Sequence, residues 1–109
     1  MPSYYLSEDL ARFGEMSRTH PQLFDLFKRW YAAAMEKGAL DERTKKLIAL
    51  AVAFAIQEPY CIDSYTSSCL DAGITPEEMA EAVNVAAALR GGGTLAHWVQ
   101  SCNTMTRKG

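Results

Sequence analysis

Leu47-Ile48-Ala49-Leu50-Ala51-Val52-Ala53-Phe54-Ala55-Ile56, followed at once by Gln57-Glu58-Pro59-Tyr60-Cys61-Ile62-Asp63-Ser64-Tyr65, is the stretch on which the fold turns. Its first half is a run of ten apolar residues. As a helix it has no polar face, so it belongs at the centre of a domain with both sides covered, part of its surface being left for another subunit. The run is too short to cross a bilayer. Its second half starts a new helix: Pro59 has no backbone donor to lose at the first helical position, which makes Glu58 the N-cap and puts Cys61 in the first turn. There the unpaired amides and the positive end of the helix dipole favour a thiolate. Glu58, Cys61, Tyr65 and Cys69 project onto one stripe of that helix, so a carboxylate, a thiol and a phenol share a face.

Upstream, Ser7-Glu8-Asp9-Leu10 predicts a short capped helix weakened at Gly14. Leu23, Phe24, Phe27, Trp30, Tyr31 and Ala34 recur at intervals of three and four behind Pro21, predicting an amphipathic helix that stops at Gly38. Asp41 caps the central helix. Downstream, Gly73 is the left-handed stop of the Cys61 helix, and Thr75-Pro76-Glu77-Glu78 is a capping box opening a fifth helix. Gly91-Gly92-Gly93 is read as its end, with a last helix from Thr94 and a frayed tail from Met105 to Gly109. No strand-period segment, repeat or linker divides the chain. The expectation is therefore one all-α domain over residues 1–109, of about six helices.

The totals exclude several function classes. A net charge of −2 with scattered Lys and Arg leaves no footprint for nucleic acid or an anionic membrane, and neither is expected as a partner. Met1-Pro2-Ser3-Tyr4-Tyr5 lacks the basic-then-apolar pattern of a signal peptide. Three cysteines, an odd number at irregular spacing, argue against a disulfide framework and for a reducing compartment. A soluble, cytoplasmic protein is expected. His20, His97 and the cysteines show no ligand-pair spacing, so no metal is expected, and no cofactor either.

The pattern Leu40-x-x-Arg43-x-Lys45-x-Leu47-Ile48-Ala49-Leu50-Ala51-Val52, then Pro59-Tyr60-Cys61-Ile62-Asp63, then Gly73-x-Thr75-x-Glu77-Glu78, resembles the AhpD-like superfamily, also called the carboxymuconolactone decarboxylase family. Within it, Tyr4-Tyr5, Pro59 to Thr66, and Leu89-Arg90-Gly91-Gly92 with His97 resemble the small peroxidase-like proteins associated with arsenosugar biosynthesis. The resemblance implies an all-helical fold that assembles as a homotrimer or homohexamer, with thiol peroxidase or disulfide chemistry at the start of the fourth helix. Position by position, the second Cys of the family's Cys-x-x-Cys is Cys61. The first Cys position holds Glu58, the His position Tyr65, and the relay Glu position Lys46.

These departures bear on mechanism. A sulfenic acid formed at Cys61 has no thiol at 58 to resolve it, so a local dithiol cycle is weak or lost. Cys69 cannot serve: two helical turns hold the Cα atoms about 12 Å apart, beyond disulfide reach. An ionised Glu58 also opposes the helix terminus by raising the Cys61 pKa, and the two effects, each of about one pKa unit, leave the balance open.

Each candidate has a structural alternative. Cys61 is a redox thiol or a small buried residue. Glu58 is a general base or only a cap. Tyr65 lines a pocket or fills the core. Lys46 snorkels to solvent or pairs with Glu58. Tyr60 and His97 are further pocket candidates, His97 otherwise being a surface residue.

Three readings stand side by side. The first is a peroxidase-like oxidoreductase with Cys61, Glu58 and Tyr65 as its site, a small hydroperoxide as substrate and a thiol as reductant. The second is a non-redox lyase or decarboxylase using Glu58 and His97. The third is a non-catalytic oligomeric binding module.

Overall fold

The computed structural model describes residues 5–109, so the reading of Met1 to Tyr4 lies outside the described residues. The chain opens with a 3-10 helix over Ser7–Glu15 that runs directly into α1, Met16–Thr19. There follow α2 (Pro21–Met35), α3 (Glu42–Ala55), α4 (Pro59–Asp71), α5 (Pro76–Ala96) and α6 (Trp98–Lys108). No strand occurs among the described residues.

The apolar run lies in α3, which packs against both α4 and α5. Leu50, Cys69, Ile74 and Met79 form the buried cluster at that junction, with Leu47, Phe54 and Tyr65 packed against it. The chain itself covers only one side of α3: Leu50 is 1% exposed, whereas Val52 is 48% and Ile56 63%. The expected cover on both sides is half supplied.

Local chemistry sets the ends of these helices. Asp41 accepts from the Thr44 amide at 2.7 Å. Thr75 and Glu78 exchange both hydrogen bonds of the capping box. Gly73 takes φ +77°, and the Ile74 and Gly73 amides return to the carbonyls of Cys69 and Leu70 at 3.0 Å, a Schellman stop. The same motif ends α3 with a residue poorly suited to it. Gln57 sits at φ +56°, its amide on Phe54 O at 3.1 Å and the Glu58 amide on Ala53 O at 3.0 Å. This left-handed residue turns the chain from α3 into α4 and so sets where Glu58 begins.

Four expectations are corrected. The first helix is a 3-10 segment over Ser7–Glu15, and no side chain caps its start. The second ends at Met35, with Glu36 already extended, before Gly38 is reached.

The triple glycine does not end α5, which continues to Ala96. Three residues of low propensity cost about 1 kcal/mol each against alanine, and a long helix already nucleated at Thr75 carries them because propagation is easier than nucleation. Thr94 Oγ1 reinforces the stretch by donating to Arg90 O at 2.8 Å. The Arg90 guanidinium in turn donates to Ala55 O and ties α5 to the end of α3.

The tail is helical through Lys108. Thr106 Oγ1 bonds Cys102 O at 3.0 Å, and Arg107 and Lys108 sit where the negative end of the helix dipole favours them.

Candidate functional site

Where α3 gives way to α4, the Glu58 side chain folds back over the first turn. It accepts from the Cys61 amide at 2.7 Å and from the Tyr60 amide at 3.3 Å. Glu58 is therefore the N-cap, and its carboxylate takes up the amides expected to face a thiolate. Burial pushes the Glu58 carboxyl upward, and hydrogen bonds from Cys61 and Tyr60 outweigh it, leaving the group below the ordinary carboxylate range. The thiol moves the other way. Burial, then the hydrogen bond to Glu58 and its negative charge, push Cys61 from 9.0 up to about 11. The balance left open between helix terminus and Glu58 falls on the side of the protonated thiol, burial being the largest cause and the carboxylate that has taken the terminal amides the next.

Glu58 and Cys61 open onto a pocket of about 560 Å³. One wall is α4, with Tyr60, Ser64 and Tyr65. Phe27 and Tyr31 of α2 and Asp9, Leu10 and Phe13 of the 3-10 helix complete the lining. Tyr5 fastens that opening segment to the site. Its ring meets Tyr60 edge to face at 4.5 Å between centroids, and its hydroxyl donates to Pro59 O at 3.2 Å. Tyr65 and Tyr31 share a hydrogen bond between their hydroxyls. Burial and that bond raise the Tyr65 pKa, so the phenol stays protonated.

The remaining candidates go elsewhere. Lys46 lines an adjoining pocket of about 360 Å³ with Tyr31, Tyr65 and Ser68, and no Lys46–Glu58 ion pair forms among the described residues. His97 sits at the α5–α6 junction with Nδ1 bonded to Gln100 Oε1 at 2.9 Å, and it lines neither pocket. The reason is the uninterrupted α5: glycines that continue a helix carry His97 onward instead of turning it back. Cys69 is fully buried and its thiol faces Lys46 O at 3.7 Å. Cys61, Cys69 and Cys102 are all free thiols, and no group of three or more His, Cys, Asp or Glu able to hold a metal occurs among the described residues.

Tyr31, Phe13, Phe27 and Asp9 line the pocket without having been singled out for it. The stripe on α2 marks Phe27 and Tyr31 as inward-facing or interface residues, but a helical period names no particular cavity.

The carboxymuconolactone decarboxylase family profile matches residues 21–100. A Paracoccus denitrificans protein named "Uncharacterized protein 4 in cox locus" is 41% identical over 87 residues, covering 80% of this chain and 78% of that one. An uncharacterized Haemophilus influenzae protein is 38% identical over 53 residues, 49% of this chain and 47% of its own length. Among solved structures, a structural-genomics target from Methanobacterium thermoautotrophicum superposes with TM-score 0.75 at 33% identity, over 78% of this chain and 96% of that one. The apo form of a carboxymuconolactone decarboxylase family protein from Legionella pneumophila gives TM-score 0.71, also at 33% identity, over 84% and 82%. With a profile match across most of its length and two solved neighbours of the same helical fold, the chain belongs to the carboxymuconolactone decarboxylase family, on the AhpD-like scaffold.

Proposed function

We propose that the protein is a single-cysteine, peroxidase-like oxidoreductase acting on a small organic hydroperoxide, with Cys61 as its reactive sulfur. The observation that carries the reading is the half-buried Cys61 thiol opening onto an apolar pocket with a carboxylate hydrogen-bonded beside it. After the thiol loses its proton, sulfur attacks the peroxide oxygen and the O–O bond breaks. The alkoxide leaves, taking up a proton as the alcohol, and Cys61 becomes a sulfenic acid. Glu58 offers no sulfur, so reduction falls to an external thiol: the first condenses with the sulfenic acid, releasing water, and a second frees Cys61 as the external disulfide leaves. Glu58 slows the first step by holding the thiol protonated, so turnover is slow at neutral pH.

We place the chain nearest the arsenosugar-associated peroxidase-like branch, on Tyr65 and the flanking Pro59 to Thr66. We further infer a cytoplasmic homotrimer or homohexamer. Three free thiols support the compartment, and an uncovered face of α3 supports the assembly.

Peroxide consumption with cumene hydroperoxide and dithiothreitol tests the proposal. The natural chain turns over slowly, Cys61→Ser is inactive, and Glu58→Cys is faster because it restores a resolving thiol. Equal rates for the natural chain and Glu58→Cys remove the resolving argument. Activity retained in Cys61→Ser but lost in Glu58→Gln replaces the redox reading with a proton-transfer enzyme. One arrangement favours a second reading: the Glu58 carboxylate takes the Tyr60 and Cys61 amides at the helix end, leaving the half-buried thiol beside a negative charge that helps keep it protonated, as a pocket that binds without reacting would hold it.

A further inference from the structure

The pocket beside Cys61 has an uneven chemical lining. Five of the residues that line it are aromatic: Phe13, Phe27, Tyr31, Tyr60 and Tyr65. The charged residues among its lining are two carboxylates, Asp9 of the 3-10 helix and Glu58 at the start of α4, and no Lys, Arg or His joins them. Arg12, Lys45 and Lys46, on flanking elements, lie outside this lining, Lys45 reaching a neighbouring apolar pocket that shares Phe27, Tyr31, Cys61 and Tyr65 while its ammonium donates to the carbonyls of Ala34 and Glu36. Arg12 is an exposed side chain held by Glu15 and set 3.7 Å from Asp9, and Lys46 opens onto the adjoining pocket. Glu58 therefore acts on whatever enters, and Asp9 does so with its charge partly offset by Arg12. A carboxylate or phosphate ligand would lose its water beside two like charges, Asp9 sharing the exposed Arg12 with Glu15 and Glu58 having no cation within the lining. A neutral aromatic or branched alkyl group meets rings on several sides, and an ammonium gains both the ring faces and the carboxylates.

From this we infer that the pocket selects by charge, taking apolar organic molecules that are cationic or neutral and rejecting anionic ones, in the order ammonium, alcohol, carboxylate. The inference rests on the reading of the Cys61 pocket as the working site, and it gives that site its substrate class: uncharged or cationic organic hydroperoxides, with hydroperoxides of fatty or aromatic acids excluded. The carboxylated lactone in the family's name falls among the excluded molecules.

An isosteric series separates the charge from the shape. Binding of 2-phenylpropan-2-amine, 2-phenylpropan-2-ol and 2-methyl-2-phenylpropanoate to the full chain is measured by calorimetry at neutral pH and low salt. The carboxylate binds at least about tenfold more weakly than the alcohol, the scale of one like-charge contact in a half-buried site. The amine binds tighter than the alcohol, and Asp9→Asn narrows that gap. Ser64→Trp, which fills the pocket, abolishes binding of all three, with circular dichroism checking that the helices are intact. Equal or tighter binding of the carboxylate overturns the inference, as does failure of all three to bind or alcohol binding that survives Ser64→Trp. If the order holds and cumene hydroperoxide is not consumed, the charge selection stands and the peroxidase reading fails. If peroxide is consumed and the order is reversed, the outcome is the opposite.

Discussion

At Cys61 two influences of the same helix end compete, and a side chain decides between them. An open first turn lowers a thiol pKa, but here the amides of Tyr60 and Cys61 point at Glu58, so the sulfur meets a negative neighbour instead of free donors. The folded-state value of about 11 lies above the ordinary 9.0, so the thiol keeps its proton through neutrality and loses it as pH rises toward 11. The stability linked to this group is correspondingly full below pH 9 and declines above it. Alkylation of Cys61 by iodoacetamide, followed across pH, has its midpoint near 11. In Glu58→Gln the midpoint falls, stopping short of 9.0 because burial, the larger cause, remains. A midpoint that does not move removes Glu58 as the controlling neighbour.

The helices are joined by two Schellman stops that differ in one residue. Gly73 occupies the left-handed position after α4 without cost, while Gln57 holds the same backbone form after α3 against the steric penalty of its Cβ. Gln57→Gly is expected to stabilise the fold by about 1 kcal/mol and Gly73→Ala to destabilise it by a similar amount, read from urea midpoints. The direction of each change is the test, because a general effect of glycine on the unfolded chain predicts the reverse, loss of stability for Gln57→Gly and gain for Gly73→Ala. The strained residue adjoins Glu58. Backbone strain of this kind persists where the surrounding structure holds the chain in place, as the ties of α5 to α3 through Arg90 and Ala55 do here.

The whole chain is larger than its length requires. Its Cα radius of gyration is 18.6 Å, against about 13 Å for a compact domain of this size. Its accessible surface is 8574 Å², where a compact monomer of 12.1 kDa exposes about 6,000 Å². The excess of roughly 2,500 Å² exceeds the about 800 Å² that one ordinary interface hides per partner, which fits a subunit with neighbours on two sides. Trp30, Leu89, Leu95 and Trp98 are each more than half exposed, and α6 meets chiefly α5. Gly91, Gly92 and Gly93 have open space where a Cβ would stand, so no packing within the chain calls for them. Light scattering on the purified protein is expected to give three or six times the chain mass, and Trp30→Glu to lower it. A monomeric mass for the natural chain refutes the assembly.

What the sequence determined by itself is local: Pro59 behind Glu58, Asp41 before the apolar run, Gly73 and the Thr75–Glu78 box are seen in neighbouring residues because caps and stops are made by residues a few positions apart. The all-helical class followed from periods of three and four, and the family from motifs lying along the chain. Gly91 to Gly93 misled because propensity is a weak local preference, overridden when a long helix is capped at one end and tied down at its middle. Only the tertiary structure decided which side chains share a cavity. It brought Asp9, Phe13, Phe27 and Tyr31 to Cys61, put Lys46 beyond the Tyr31–Tyr65 pair, and carried His97 away. It also decided the balance at the sulfur, since opposing effects of similar size are resolved by distances and burial, and these exist only once the chain is folded.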